Sequence, residues 1–171
     1  TFFVSSMGMA IGMGGSSVLS LALGKGNKEK ALHTFAHQIM MTLCICTVFV
    51  VAGLFFSEEI LFAFGANGAI LPPAKVFFMP ILLAVPFQAL CMMGSTVVRA
   101  EGKARASMVA MIVAAGVNIV FDVLFIKILD MGVFGAAMAT ALSFFFCFAY
   151  FLWFFVFKSE LRLKLNSFMF K

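Results

Sequence analysis

Residues 107–126 read SMVAMIVAAGVNIVFDVLFI, and Asp122 is the one ionisable side chain among them. About 20 consecutive apolar residues allow a helix to cross the hydrocarbon core of a bilayer, so this stretch predicts a transmembrane helix. On insertion scales an aspartate near the centre of such a helix costs roughly 2.5–3.5 kcal/mol, and intramembrane carboxylates therefore face a bundle interior or a water-filled cavity. Asp122 and Asn118, one helical turn before it, are the first candidates for a functional site.

The whole chain shares this apolar character, with 64% hydrophobic residues, 11% charged residues and a mean hydropathy of +1.14. A soluble helical domain of 171 residues would need a polar outer surface that this composition cannot supply. Five stretches are long and apolar enough to span a membrane, at residues 2–23, 34–56, 76–98, 107–126 and 133–157. The sequence therefore predicts an all-α, polytopic membrane helix bundle of five transmembrane helices over residues 1–157, followed by a basic segment at 158–171.

Positive charge is distributed unevenly between the connectors of this bundle. Of the twelve Lys and Arg residues, only Lys75 and Lys127 fall on one side. The other ten fall together: Lys25, Lys28, Lys30, Arg99, Lys103, Arg105, Lys158, Arg162, Lys164 and Lys171. By the positive-inside rule the basic side is cytoplasmic. The protein is therefore expected in the cell (inner) membrane, with Thr1 on the outer side and Lys171 on the cytoplasmic side. Five spans that start outside imply an upstream helix, and the net charge of +5 needs no nucleic-acid partner to explain it.

The connectors carry signals for helix ends. Gly24 is expected to end the first helix and Asn27 to cap the second, since glycine favours helix C-termini and asparagine favours N-caps. Gly102 is expected to break the chain between the third and fourth spans, with Ser107 as a candidate cap. Residues 57–75 are expected to form a longer loop on the outer side.

Several other residues are interpreted as structural. Cys44, Cys46, Cys91 and Cys147 lie within apolar spans without metal-ligand spacing, so they are predicted to be small packing residues. His33 and His37 share a helix face at the cytoplasmic mouth, where a solvated pair is favoured over a metal site. The spacing of Gly8 and Gly12 allows another helix to approach closely, and Pro80 and Pro86 should bend the third span.

The chain contains no phosphate-binding glycine loop, no Gly-x-Ser-x-Gly elbow and no His-Glu-x-x-His motif, so no enzymatic activity is expected. If the protein moves a solute, the energy has to come from an ion gradient, another subunit or the gradient of the solute itself. Twenty-four Phe and thirteen Met residues supply adaptable apolar surface, and aromatic rings and thioethers suit greasy cations. Most of these side chains are nevertheless expected to face membrane lipids or pack helices.

Four segments together resemble the multidrug and toxic compound extrusion (MATE) transporters. They are 21–31 (LALGKGNKEKA), 98–107 (VRAEGKARAS), 118–127 (NIVFDVLFIK) and 131–140 (MGVFGAAMAT). The resemblance implies a twelve-helix protein of two six-helix lobes, of which this chain would cover helices two to six. It further implies cation-coupled (Na⁺ or H⁺) antiport of amphiphilic, cationic, drug-like molecules by alternating access. The first helix and the second lobe would then be partners absent from this sequence, and residues 158–171 would start the linker between lobes.

The same resemblance places Asn118, Asp122 and Thr140 on ion-site positions. Asn118 and Asp122 share one helix face because they are four residues apart. Thr140 is expected at a similar depth, since a short turn joins the two antiparallel spans. A carboxylate, an amide carbonyl and a hydroxyl are hard oxygen donors that suit Na⁺, and the carboxylate could take up a proton instead. No further cofactor or metal is expected. In the alternative interpretation, Asn118 and Asp122 only hydrogen-bond a neighbouring helix.

Two other functions are retained as alternatives. A lipid-linked oligosaccharide flippase of the same superfamily would be expected to have a more cationic lumen, whereas these spans carry no Lys or Arg at depth. A non-transporting membrane subunit would use Asp122 to pair with a partner helix. An efflux assay in proteoliposomes would separate transport from that structural role.

Overall fold

The structure, a computed structural model, describes residues 2–63, 65 and 68–159. Across these residues the chain is helical and contains no strand, as the sequence predicts. The helices are α1 (Phe2–Gly24), α2 (Lys28–Phe55), α3 (Ser57–Ala63), α4 (Leu71–Ala100), α5 (Ala104–Asp122) and α6 (Gly132–Phe157). A 3₁₀ turn at Gly68–Ile70 precedes α4, and a π-helical segment at Val123–Ile128 continues α5.

Among the described residues, four helices are long and apolar enough to cross a membrane: α2 with 28 residues, α4 with 30, α5 and its π segment with 25, and α6 with 26. α1 has 23 residues, which at the α-helical rise is about 34 Å. α6 ends at Phe157, where the last predicted span ends. Of the basic segment at 158–171, only Lys158 and Ser159 belong to the described residues.

α4 is the central helix of the bundle, because α1, α2, α5 and α6 all pack against it. Small residues make the closest of these contacts. A Cβ built on Gly8 of α1 would lie 3.2 Å from the Ala89 Cα of α4, and one on Gly12 would lie 3.2 Å from the Met93 Cα. The prediction that the Gly8 and Gly12 spacing admits a close neighbour is therefore confirmed, and α4 is that neighbour.

The main apolar core brings together helices that lie far apart in the sequence. Phe35 of α2 and Phe155 of α6 lie with ring centroids 4.7 Å apart, and both are buried. Phe151 of α6 is buried beside them, and its ring lies against Gly94 of α4. Glycine at that position leaves room for the aromatic ring, so α2, α4 and α6 meet in one core.

The expectation of a loop over residues 57–75 is wrong in two places. Residues Ser57–Ala63 form the short helix α3, and α4 already begins at Leu71, with Pro72 and Pro73 in its first turn. Proline is compatible with a first helical turn because the amide hydrogen that it lacks would have no partner there. Lys75 of α4 and Glu58 of α3 form an ion pair that fastens this segment to α4.

The predicted turn signals are confirmed in part. Gly24 ends α1, and the Asn27 side chain accepts a hydrogen bond of 3.0 Å from the Lys30 amide at the start of α2. Gly102 breaks the chain with a φ of +76°, which glycine adopts readily. Ser107 is not the cap of α5, because α5 begins at Ala104. It lies inside the helix instead, 2.8 Å from the Ser95 hydroxyl of α4, and this hydrogen bond joins the two helices.

The cysteines need one correction. Cys91 of α4 and Cys147 of α6 form a disulfide, with Cα atoms 6.2 Å apart, although 56 residues separate them in the sequence. They face each other because α4 and α6 pack along their lengths. The interpretation of all four cysteines as simple packing residues is therefore wrong for this pair. Cys46 is buried and packs against α4, whereas Cys44 is exposed.

Candidate functional site

Asp122 is the last residue of the regular α-helix in α5, and the backbone changes form directly after it. Over Val123–Ile128 the hydrogen bonds follow the π pattern, which ends with the Leu129 amide donating to the Leu124 carbonyl at 3.0 Å. π-helical turns are rare, and they occur frequently at functional sites. Each π hydrogen bond spans one more residue than an α-helical bond, so side chains after Asp122 are displaced around the helix axis. The candidate carboxylate therefore lies at a local irregularity of the backbone.

Asn118 and Asp122 lie on the half of α5 that faces the bundle. Both are partly buried, and they follow the buried Ser107 and Ala110 on the side that packs against α4 and α6. On the opposite side, Ile119 is 63% exposed, Val120 64% and Val123 50%. An aspartate on that outer side would be in contact with lipid chains. The observed placement agrees with the rule that intramembrane carboxylates point towards the interior.

Thr140 lies in α6 at a depth similar to that of Asp122. Two contacts between the helices define this depth: Gly135 of α6 packs against Phe125, and the Phe146 ring of α6 stacks on Phe121 with centroids 6.1 Å apart. Asp122 lies between Phe121 and Phe125 in the chain, and Thr140 lies between Gly135 and Phe146. Since the two helices run antiparallel, both residues fall in the same layer of the bundle.

Within the described residues, no hydrogen bond connects Asn118, Asp122 and Thr140 to one another. The Thr140 hydroxyl donates to the Ala136 carbonyl of its own helix at 3.0 Å. A hydroxyl oxygen that donates one hydrogen bond keeps its lone pairs and can still bind a cation. The donor set of carboxylate, amide and hydroxyl oxygens therefore fits a hard cation such as Na⁺, and these three side chains would supply part of its ligand shell.

Gln38 is a buried polar residue that was not among the candidates from the sequence. Its amide nitrogen donates to the carbonyls of Ile11 and Gly12 in α1, at 3.2 Å each, and the residue is only 4% exposed. Gly15 makes room for this side chain, because a Cβ there would occupy the space of the Gln38 amide. The one amide side chain in the apolar run of α2 was the signal available in the sequence, and its role is to join α2 to α1.

A groove of about 350 Å³ runs between α1 and α4. Its wall combines the thioethers of Met9 and Met13 with the hydroxyls of Ser16 and Thr96, and Arg99 lies at the end near the turn between α4 and α5. Methionine side chains adapt to ligands of different shapes. The groove therefore offers an adaptable, mostly apolar surface with a few polar groups.

Comparison with known proteins gives consistent matches. A family model described as MatE matches residues 1–124, a range that includes Asn118 and Asp122. The multidrug export protein MepA of Staphylococcus aureus (strain MRSA252) is 28% identical over 137 residues, which cover 80% of this chain and 30% of MepA.

Two solved structures of a multidrug resistance MATE family transporter of the MOP superfamily match nearly all of the chain. The inward-facing conformation is 27% identical with a TM-score of 0.89, over 98% of this chain and 39% of that chain. The outward-facing conformation is 26% identical with a TM-score of 0.87, over 99% of this chain and 39% of that chain. The chain thus spans less than half the length of the proteins that it matches.

Proposed function

The chain belongs to the MatE family, and on that basis we propose that it is part of a cation-coupled multidrug efflux antiporter of the cell membrane, a transporter and not an enzyme. The observation that carries this proposal is the family match over residues 1–124, which includes the candidate carboxylate. The rest of the transporter, with the first helix and the second lobe of the resemblance, would be supplied outside this sequence. The similarity to MepA, whose name describes multidrug export, supports the substrate class.

We propose that Asp122, Asn118 and Thr140 contribute oxygen ligands to the coupling cation. The inward placement of Asn118 and Asp122 and the matching depth of Thr140 support a shared site. Na⁺ would bind to the three oxygens, and H⁺ would bind to the Asp122 carboxylate alone. The π segment supports the proposal too, because π-helical turns occur frequently at functional sites.

Alternating access is supported by the way that one arrangement of helices fits two transporter conformations. The TM-scores of 0.89 and 0.87 to the inward-facing and outward-facing structures are nearly equal. A region that matches both conformations changes little between them, so the change between inward and outward access would lie in how whole lobes are oriented. Secondary transporters commonly work by rocking one repeat against the other around a central site.

The charge distribution favours amphiphilic cations over a lipid-linked oligosaccharide. Among the described residues every Lys and Arg of the spanning helices lies in a terminal turn or next to one, as with Lys75 and Arg99 of α4. A pathway for a pyrophosphate-linked lipid would need cations deeper in the membrane. Exposed Met and Phe side chains and the groove between α1 and α4 would instead contact apolar parts of a substrate.

The test is transport by the full-length protein that contains this chain. The purified protein is reconstituted into proteoliposomes, and movement of a fluorescent amphiphilic cation is followed after a Na⁺ or H⁺ gradient is imposed. We expect dye movement that requires one of the two gradients and stops when that gradient is dissipated. An absence of dye movement with either gradient would contradict the proposed function and favour the subunit alternative.

A further inference from the structure

Glu101 is a fully buried carboxylate at the cytoplasmic end of α4. It is the residue that caps α4, and its side chain has an exposed fraction of 0%. A negative charge at a helix C-terminus is unfavourable because the helix dipole is negative there, and burial of an ionised carboxylate is unfavourable as well. Glu101 therefore needs partners that compensate both effects.

The Glu101 carboxylate has partners on two sides, one in the turn after α4 and one beyond the end of α6. Lys103, which follows the turn at Gly102, lies with its Nζ atom 3.4 Å from a Glu101 carboxylate oxygen. Ser159, beyond the end of α6, donates its hydroxyl to the other carboxylate oxygen. The Lys103 ammonium also donates to the Lys158 carbonyl at 2.8 Å. These contacts, which we call the exit clasp, hold Lys158 and Ser159 against the turn between α4 and α5.

The exit clasp lies directly after the end of α6. α6 ends at Phe157, and the backbone of Lys158 and Ser159 is held on one side by the Phe154 carbonyl and on the other by the exit clasp. Ser159 is buried as a result, with an exposed fraction of 3%. A residue just past the last helix would normally be free to move with the segment that follows it. Here Lys158 and Ser159 are instead held next to α4.

We propose that Glu101 is a positioning residue that fixes the segment after α6 to the central helix α4. A displacement of that segment would then act on α4 through Glu101, and not on α6 alone. The proposal rests on the proposed function, in which this segment leads towards a second lobe that moves relative to the first. Losing the clasp should slow the change between inward and outward access while leaving the affinity for substrate unchanged.

The contact itself can be tested by proteolysis, independently of transport. Trypsin cuts after lysine, and the Lys158–Ser159 bond is shielded because its carbonyl accepts from Lys103 and Ser159 is buried. In inside-out vesicles with the full-length protein, we expect Glu101→Ala to raise cleavage at this bond severalfold. Glu101→Gln, which keeps an acceptor for Ser159 but loses the charge, should raise it less. The matched control is Glu29→Gln, which alters an exposed carboxylate on the same face.

Cleavage after the exposed Lys25, a bond that none of these variants alters, serves as the internal reference for unfolding. If Glu101→Ala raises cleavage at both bonds, that variant has unfolded, and Glu101→Gln becomes the test. The proposal then requires that Glu101→Gln raises cleavage at the Lys158–Ser159 bond and leaves cleavage at the reference bond unchanged. Unchanged cleavage at that bond overturns the exit clasp.

Transport then tests the role of the clasp. In proteoliposomes we expect Glu101→Ala to lower the maximal efflux rate severalfold with an unchanged KM for the fluorescent cation, and Glu101→Gln to restore most of the rate. Faster cleavage with a normal maximal rate would overturn the positioning role. A wild-type protein that shields the Lys158–Ser159 bond but moves no cation would instead contradict the proposed function.

Discussion

Gly12 of α1 lies so close to Met93 of α4 that a Cβ on the glycine would be 3.2 Å from the methionine Cα. The backbone of α4 cannot yield as a flexible side chain would, so this contact sets the distance between the two helices. Gly14, two residues along α1, has open space around its Cβ position. The two glycines therefore provide a test and its control on the same helix.

We expect Gly12→Leu to destabilise the protein because the added side chain forces α1 away from α4. Overpacking of this kind costs typically about 1–3 kcal/mol, and Gly14→Leu should cost much less. Thermal unfolding of the two purified variants in detergent, followed by size-exclusion chromatography, measures the difference. Equal melting temperatures for both variants would contradict the close packing of α1 on α4.

Replacement of Asp122 by Asn preserves the shape of the side chain and removes its charge. If the carboxylate binds the coupling cation, Asp122→Asn should abolish gradient-driven efflux in the full-length protein while leaving its expression near normal. Asp130→Asn makes the same chemical change at an exposed turn residue, whose φ of +53° asparagine also tolerates. That control should transport like wild type. Wild-type efflux by Asp122→Asn, with the same dependence on Na⁺ and pH, would end the ion-site hypothesis.

Substitutions at Thr140 test whether its side chain acts as an oxygen ligand or only as a packing contact. Thr140→Val keeps the volume and loses the hydroxyl, so we expect a weaker cation site, with about a fivefold higher half-saturating Na⁺ concentration if one contact is worth about 1 kcal/mol. Thr140→Ser keeps the hydroxyl and should stay close to wild type. The measurement is initial efflux rate against Na⁺ concentration at fixed pH. A larger effect from Ser than from Val would indicate that Thr140 acts through packing.

The orientation can be measured with single cysteines in a background without the native four. Lys28 and Arg105 are exposed on the basic side of the bundle, and Glu59 is exposed on the opposite side. An impermeant thiol reagent added to intact cells should label Glu59→Cys, and should label Lys28→Cys and Arg105→Cys only after permeabilisation. The reverse pattern would place Thr1 in the cytoplasm and invert the topology.

The long elements could be predicted because each depends on a local pattern. Runs of about 20 apolar residues define the spanning helices, and Asn27 caps α2 through atoms only three residues away. The start of α4 was missed because Pro72 and Pro73 occur both in loops and in first helical turns. The pairing of Cys91 with Cys147 depends on how two distant helices face each other, which no local pattern reports.

The placement of the three candidate residues could be predicted to a similar extent, whereas their role as ion ligands stays a prediction. The spacing of Asn118 and Asp122 puts both on one face, and the short connection to α6 gives the depth of Thr140. The π segment after Asp122 was not predictable, since VLFIKI contains no glycine or proline to mark an irregular backbone. The burial of Glu101 was missed as well, because in the sequence it resembles an ordinary charged residue of a basic turn between two helices.

The contact between Phe35 and Phe155 has a consequence for biosynthesis. α2 is synthesised before α6, and Phe155 lies near the end of α6, so this aromatic core stays incomplete until α6 has been made. Until then the inner faces of α2 and α4 are covered by lipid or by the translocation machinery. A ribosome that stalls before α6 would thus leave α2 and α4 without their shared aromatic core.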